Sequence, residues 1–418
     1  MFRSTAAFAA ALCFAVGAPD AHAATETAPE SLRTALQDAW RRHPSHRAVQ
    51  AQLTAAQARL DAAGKPLYNP EIELAHSGEG SDRTRSAGLA LALDVGGKRL
   101  ARQDAAAAQL ALSEAEARLR RRDFARRWFN AWIDWNAAER RVKTGEQRVA
   151  SMTRFADLAV KQFDADDVSG LDRDVAALAR DEAEAAQSVL VAERADAESR
   201  LRALGGEPGS GGGSTALPAS PPPASPLDDA SLRDLPEWRI ADSARAAAER
   251  DVTVARRDRV PDPTVRLSGG RVEYGATHMK DDVFGVSISI PVFVRNDYRA
   301  EVAAARAQAD ASVAEAERVR LELEAERRRA VDSYAGTLAA WQRWQSSRGT
   351  EIERRSQLLE RSWREGELST SDYLLQIKQT LDTALAGVEL EARLWRSYAD
   401  YLVAGNRFED WIGLETAR

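Results

Sequence analysis

The stretch GVSISIPVFVRNDYR, Gly285–Arg299, lies over GLALALDVGGKRLAR, Gly88–Arg102, and how the two are read decides the fold. From Val283 to Val292 the side chains alternate. Phe284, Val286, Ile288 and Ile290 fall on one face, and Gly285, Ser287 and Ser289 on the other. Leu89, Leu91, Leu93 and Val95 alternate in the same way with Ala90, Ala92 and Asp94. A period of two marks a strand with one greasy face. Upstream, NPEIEL (Asn69–Leu74) parallels DPTVRL (Asp262–Leu267) and supplies two more: Ile72 and Leu74 against Glu71 and Glu73, Val265 and Leu267 against Thr264 and Arg266. Downstream, FDADDVSGLD (Phe163–Asp172) parallels WREGELSTSD (Trp363–Asp372). Three matches in the same order indicate an internal duplication, which sets the architecture.

Between the halves runs GSGGGSTALPASPPPASP, Gly209–Pro226, a Gly/Ser-rich then Pro-rich linker with no helix or strand pattern. The expected division is residues 24–208 for the first repeat, 209–226 for the linker and 227–418 for the second repeat. Each repeat reads helix, strand, strand, long helix, helix. Ser31–Ala63 and Ser231–Asp258 have helical composition and stop before Lys65-Pro66 and Val260-Pro261. Lys98 to about Lys161 contains no proline and one glycine, Gly145, and would reach on the order of 90 Å as a single helix. Tyr298 to about Trp363 repeats that length. Helices so far above the usual 11–12 residues exclude an ordinary compact globule.

Four strands cannot close on themselves. In lipid, an open edge strands backbone N–H and C=O groups at several kcal/mol each, so strands of this kind enter a membrane only if several copies share one barrel. Barrels begin at about eight strands; two copies are the minimum and three would give twelve. The fold class expected is mainly α with a small transmembrane β part.

Composition agrees with an exported protein. Arg3, the apolar run Thr5–Ala18 and Ala21-His22-Ala23 form a signal peptide over residues 1–23, with the mature chain expected to start at Ala24. Cleavage there removes Cys13, the single cysteine, and with it any disulfide or thiolate ligand. Mean hydropathy is -0.44 and 29% of residues are charged, and after the leader no apolar run approaches the length of a membrane helix. A net charge of -6 and a pI near 5.7 exclude nucleic acid as partner, since phosphate binding needs a concentrated basic face.

With these residues in place, the chain resembles the TolC-like outer-membrane efflux factors, in particular their CzcC-like heavy-metal branch. LDVGGKRLAR (Leu93–Arg102), VPDPTV (Val260–Val265), SIPVFVRN (Ser289–Asn296) and GELST (Gly366–Thr370) carry the resemblance, which runs from about Ser31 to about Ala404. It implies a homotrimer in the Gram-negative outer membrane with a twelve-stranded barrel above a long α-helical coiled-coil tunnel in the periplasm. It also implies docking to a periplasmic adaptor and an inner-membrane RND pump, with heavy-metal cations as cargo. Other readings are a drug or polypeptide channel of the same fold, and a soluble periplasmic coiled-coil adaptor or scaffold, which leaves the four alternating strands unexplained.

No catalytic constellation is visible, and neither a cofactor nor a metal site is expected. Gly96-Gly97-Lys98-Arg99 lacks P-loop spacing and the Ser/Thr after Lys, so it reads as a strand-to-helix turn. His43 and His46, with Pro44 between them, read as solvated surface histidines; His278-Met279 falls in the second strand-to-strand loop. Trp128, Trp132 and Trp135, like Trp341 and Trp344, recur at helical spacing and read as interhelical packing. The two helix-to-helix turns are the candidate site. Each ends in an aspartate, Asp172 or Asp372, and in a closed trimer would form a carboxylate ring that concentrates cations. Resemblance to the family gate supports this for both. The family's second gate carboxylate falls on Leu375 here and its latch arginine on Leu368, so Asp164, Asp166, Asp167 and Glu367 are candidates for a different acidic ring. The plain alternative is a solvated aspartate capping a helix.

Overall fold

A computed structural model describes residues 27–208, 217–346 and 352–414. The leader, residues 209–216 of the linker and residues 347–351 lie outside the described residues. In chain order the elements are α1 (Glu30–Arg42), α2 (Pro44–Ala63), β1 (Glu71–Glu79), β2 (Asp82–Ala92), α3 (Lys98–Asp164), α4 (Gly170–Ala203), α5 (Pro236–Asp258), β3 (Thr264–Glu273), β4 (Lys280–Ser289), α6 (Arg299–Ser346), α7 (Ile352–Arg364), α8 (Thr370–Ala404) and α9 (Phe408–Ile412). Each half is thus a helix segment, a hairpin and two long helical limbs. The limb α3 is one 67-residue helix, about 100 Å long.

The first helix segment departs from the uninterrupted reading of Ser31–Ala63. Pro44 has no N–H to continue a helix, so α1 ends at Arg42 and α2 begins with Pro44 in its first turn. His43 stands between them as the cap of α2, its Nδ1 accepting the Ser45 N–H at 3.1 Å. His46 is half-buried edge-on to Trp40. Neither is the freely solvated histidine expected, because the break packs both rings inward. The second segment is likewise broken: Asp229–Asp234 is a 3-10 turn and α5 starts at Pro236.

All four strands pair antiparallel in the order β1-β2-β3-β4. Ile72 stands opposite Leu89, Leu89 opposite Leu267 and Leu267 opposite Val286, so a single face carries the apolar side chains of all strands. No other element among the described residues covers them; Leu74 is 81% and Phe284 86% exposed. Towards the hairpin loops this face turns charged, with Arg83, Arg85, Arg271 and Asp282. The opposite face is small and polar, and Glu73 pairs with Arg266 across it at 2.7 Å. Phe284 lies over Gly269, and Gly88 faces Ser268, whose Cβ stands 3.4 Å from where a Gly88 side chain would begin, so small residues hold the central strands close.

Strand passes to helix through two matching elbows. After β2, Val95 N–H donates to Leu93 O at 3.0 Å, Gly97 takes a left-handed φ of 67° and α3 begins; after β4, Val294 N–H donates to Val292 O at 3.0 Å, Tyr298 takes a φ of 58° and α6 begins. These contacts make Val292 the equivalent of Leu93, shifting the sequence match of the two stretches by two residues. The reason is that backbone geometry, not side-chain identity, defines the bend. Asp94 accepts the Lys98 and Arg99 N–H groups, both at 2.8 Å, and caps α3.

Mid-height, α1, α3, α6, α8 and α9 enclose the main core, in which Phe124, Trp128, Phe129, Tyr334, Trp395 and Phe408 are almost wholly buried. Trp132 and Trp341 belong to it, with Trp135 and Trp344 at its margin, so the tryptophan stripes are packing, as read. The described part of the linker has no helix or strand, yet it is tied to this core. Ala219 O accepts from Trp341 Nε1 at 3.0 Å, Pro222 O from the Tyr334 hydroxyl and Ser225 O from the Tyr401 hydroxyl at 2.9 Å.

Candidate gate at the helix-to-helix turns

Both long limbs reverse at the same kind of turn. In the first, Ala165 N–H donates to Lys161 O, Asp166 N–H to Phe163 O and Asp167 N–H to Gln162 O; in the second, Glu365, Gly366 and Glu367 do the same to Arg361, Trp363 and Ser362. These bonds satisfy carbonyls at a helix C-terminus and need one residue in the left-handed region. Gly366 fills that place at φ 78°, and Asp166 fills it at φ 61°. The next helix then starts with a serine cap. Ser169 Oγ accepts the Asp172 N–H at 3.2 Å while Asp172 Oδ2 accepts from Ser169 N at 3.2 Å, a reciprocal capping box; Ser369 Oγ accepts the Asp372 N–H at 3.1 Å. Asp172 thus completes a capping box, while the Asp372 carboxylate accepts only the hydroxyl of its cap, Ser369, at 2.7 Å.

The two turns are brought to one end of the molecule by a second apolar core. Phe155 of α3, Trp363 of α7 and Tyr373 of α8 form an aromatic triangle with centroids 4.5–5.2 Å apart, joined by Ile377 and Leu381 and by Ala176 of α4. Burial pushes the Tyr373 hydroxyl up to about 12, with the nearby Glu360 charge adding to it. Leu368, where the resemblance places a latch arginine, packs against this cluster, and Leu375 is 68% exposed. Greasy contact stands where an ion pair was to be sought.

Asp164, Asp166, Asp167, Glu367 and Asp372 are exposed around the two turns, and Asp172 is half-buried. Cations are interleaved with them: Arg173 is engaged by Asp174 at 2.8 Å and lies over the Phe163 ring at 4.5 Å, and Arg364 pairs with Glu360 at 2.7 Å. Lys161 and Arg361 are also exposed at these turns, so acids and bases are mixed on this surface. No group of three or more His, Cys, Asp or Glu side chains able to hold a metal ion occurs among the described residues.

Sequence reasoning missed the contact that joins the halves at the barrel end. Lys98 Nζ donates to Asp262 Oδ2 at 2.8 Å, both side chains buried, and Tyr68 OH donates to the same oxygen at 2.5 Å. Lys98 belongs to LDVGGKRLAR and Asp262 to VPDPTV. Their separate appearance as motifs was the available signal; the fold makes them one site. Further along α3, the two terminal guanidinium nitrogens of buried Arg122 donate to the Glu237 carboxylate of α5, at 2.9 and 2.5 Å.

Long paired helices, an uncovered one-faced sheet at one end and matched turns at the other define a membrane-associated conduit protein. The outer membrane efflux protein family model matches residues 35–207 and 231–399, and the chain belongs to that family. It is 29% identical over 261 residues to the cobalt-zinc-cadmium resistance protein CzcC of Cupriavidus metallidurans; the match spans 58% of this chain and 60% of that protein. Its fold is that of the Campylobacter jejuni CmeC outer membrane channel, with a TM-score of 0.75 at 14% identity over 91% of this chain and 86% of that one. CusC, described as forming a transmembrane channel, superposes with a TM-score of 0.72 at 15% identity over 91% of this chain and 92% of its own. The chain is accordingly an outer-membrane efflux protein of the TolC-like fold.

Proposed function

We propose that three copies of this chain close a twelve-stranded barrel in the outer membrane above a helical tunnel, and that this duct passively conducts heavy-metal cations out of the cell. One observation carries the reading: a four-stranded sheet whose apolar face is bare and whose two edges are unpaired cannot be a finished structure in water or in lipid. Energy would come from an inner-membrane RND pump reached through a periplasmic adaptor; the chain's own contribution is pore width and lining. The mature chain is proposed to begin at Ala24, with repeats over 24–208 and 227–418 about the 209–226 linker. Metal cargo is favoured over drugs or polypeptides by the likeness to a cobalt-zinc-cadmium resistance protein and by the acids at the turns.

A deletion strain complemented with this chain tests the reading on graded zinc, cobalt and cadmium and on drugs. Restored tolerance to the metals alone is expected; restored drug tolerance alone would reassign the cargo, and a detergent-independent monomer without bilayer conductance would end the channel reading. For the gate, neutralising Asp164, Asp166, Asp167 and Glu367 to Asn or Gln should lower cation over anion permeability in planar bilayers. Asp172→Asn and Asp372→Asn separate gate from cap: a change in conductance at unaltered melting temperature supports the gate, while a fall in stability alone assigns them to capping.

A further inference from the structure

We propose that the seam between copies, β4 of one protomer against β1 of the next, repeats the register of the intramolecular β2–β3 pairing, placing Ser289 opposite Glu73 of the neighbouring copy. The proposal rests on the closed trimer above. In a duplicated chain β2–β3 joins first half to second, and β4–β1 would join second half to first of the next copy. The molecule therefore carries a template of its own seam.

Two anchors fix the equivalence of the halves. Asn69-Pro70 stands before β1 as Asp262-Pro263 stands before β3, which equates Glu71 with Thr264. The twin elbow bonds equate Leu93 with Val292, and hence Ala90 with Ser289. The anchors agree, since Glu71 is opposite Ala90 in the first hairpin and Thr264 is opposite Ser289 in the second. Carrying the observed pairs Ala90–Arg266, Leu89–Leu267 and Leu91–Val265 across gives Ser289–Glu73, Ile288–Leu74 and Ile290–Ile72. The bond from Leu93 N–H to Pro263 O, 2.9 Å, becomes Val292 N–H to Pro70 O. At the elbow Asn69 replaces Asp262 and, counted from the left-handed residue before each helix, Arg299 replaces Lys98, the second elbow being two residues longer; both are exposed in the single chain. An amide there accepts a hydrogen bond without leaving a carboxylate to be buried when copies meet.

Two independent checks favour this register. Ile290 and Ile288 meet Ile72 and Leu74 on the apolar face while Ser289 meets Glu73 on the other, which a slip of one residue would reverse. Barrel closure then rejects the slip of two that would flatten the strands. Stepping across directly opposite residues from Glu71 leads to Ala90, Arg266 and Ser287, which meets Ala75 of the next copy, four residues along from the start. Three such steps around twelve strands, at about 3.4 Å per residue and 4.8 Å between strands, tilt the strands by about 35°, within the usual range. Ser287 opposite Glu73 would give about 20°, far below 35–45°; Ser287 opposite Ser77 would give about 47°, as near the upper end of that range as 35° is to the lower, and is set aside by the β2–β3 template alone.

Cysteine cross-linking of the full-length trimer in detergent, with Cys13 changed to alanine, tests this. Ala90–Arg266 is a non-hydrogen-bonded pair, so Ser289→Cys with Glu73→Cys brings Cα atoms to about 4.5 Å, whereas Glu71→Cys or Ala75→Cys with Ser289→Cys leaves them beyond about 7 Å. Mild oxidation is expected to link E73C/S289C into a covalent trimer at least about tenfold faster than either control. Ser287→Cys with Ala75→Cys repeats the test while leaving the Glu73–Arg266 pair intact. An intact trimer that links fastest in a control, or in none of the pairs, overturns the register and spares the trimer. A monomeric mass in detergent instead overturns the channel reading itself.

Discussion

Lys98 and Asp262 are buried against each other, their side chains 9% and 6% exposed, and the Tyr68 hydroxyl donates to the same carboxylate oxygen. Removing one leaves a buried charge uncompensated, so Lys98→Met is expected to destabilise the chain by about 3–5 kcal/mol. Lys98→Met with Asp262→Leu should recover most of that loss, because the second change removes the stranded carboxylate. Thermal melting of Lys98→Met, Asp262→Leu and the double variant in detergent measures the coupling. At the turns, the left-handed position is occupied by glycine in one repeat and aspartate in the other. Asp166→Gly should therefore stabilise by about 0.5–1 kcal/mol and Gly366→Ala destabilise by about 1 kcal/mol. Opposite signs at equivalent positions, read by the same melting experiment, are the test.

In each repeat a glycine on one long limb seats large side chains of the other, and the glycine changes sides. In the first half Gly145 of α3 admits Gln187 and Leu190 of α4; in the second, Gly387 of α8 admits the indole of Trp344 on α6. A Cβ on Gly145 would meet the Gln187 amide, the far end of a flexible side chain, as well as Leu190. A Cβ on Gly387 would stand 2.1 Å from the Trp344 ring, which is stacked on Trp341 at a centroid distance of 5.1 Å and has no equally easy way out. Gly387→Ala is thus expected to cost about 1–3 kcal/mol and Gly145→Ala less. Equal losses by chemical denaturation would mean that the tryptophan pair is free to move.

For the whole molecule, the decisive fact is an apolar sheet face that none of the described residues covers. Lipid covers it in the channel reading. Ile288→Arg should then cost about 2–4 kcal/mol at the bilayer and reduce the heat-modifiable form in outer-membrane fractions, whereas Ser287→Arg on the lumen face should not. Equal tolerance of both substitutions would show that the Ile288 face does not meet hydrocarbon.

Strand periodicity, the duplication, the long helices and the tryptophan packing were all legible in the chain itself, because each is a local pattern that one or two turns of backbone can express. The open edges followed as well, since four strands do not suffice to close. What the local pattern could not express were contacts between residues far apart along the chain. Lys98 meets Asp262, Phe155 meets Trp363 and Tyr373, and the irregular linker is hydrogen-bonded to Tyr334, Trp341 and Tyr401. The two-residue shift between the halves also emerged only in three dimensions, because the elbows are defined by backbone bonds that unlike side chains can share. Period is a property of a segment; register and contact belong to the pair of segments that folding brings together.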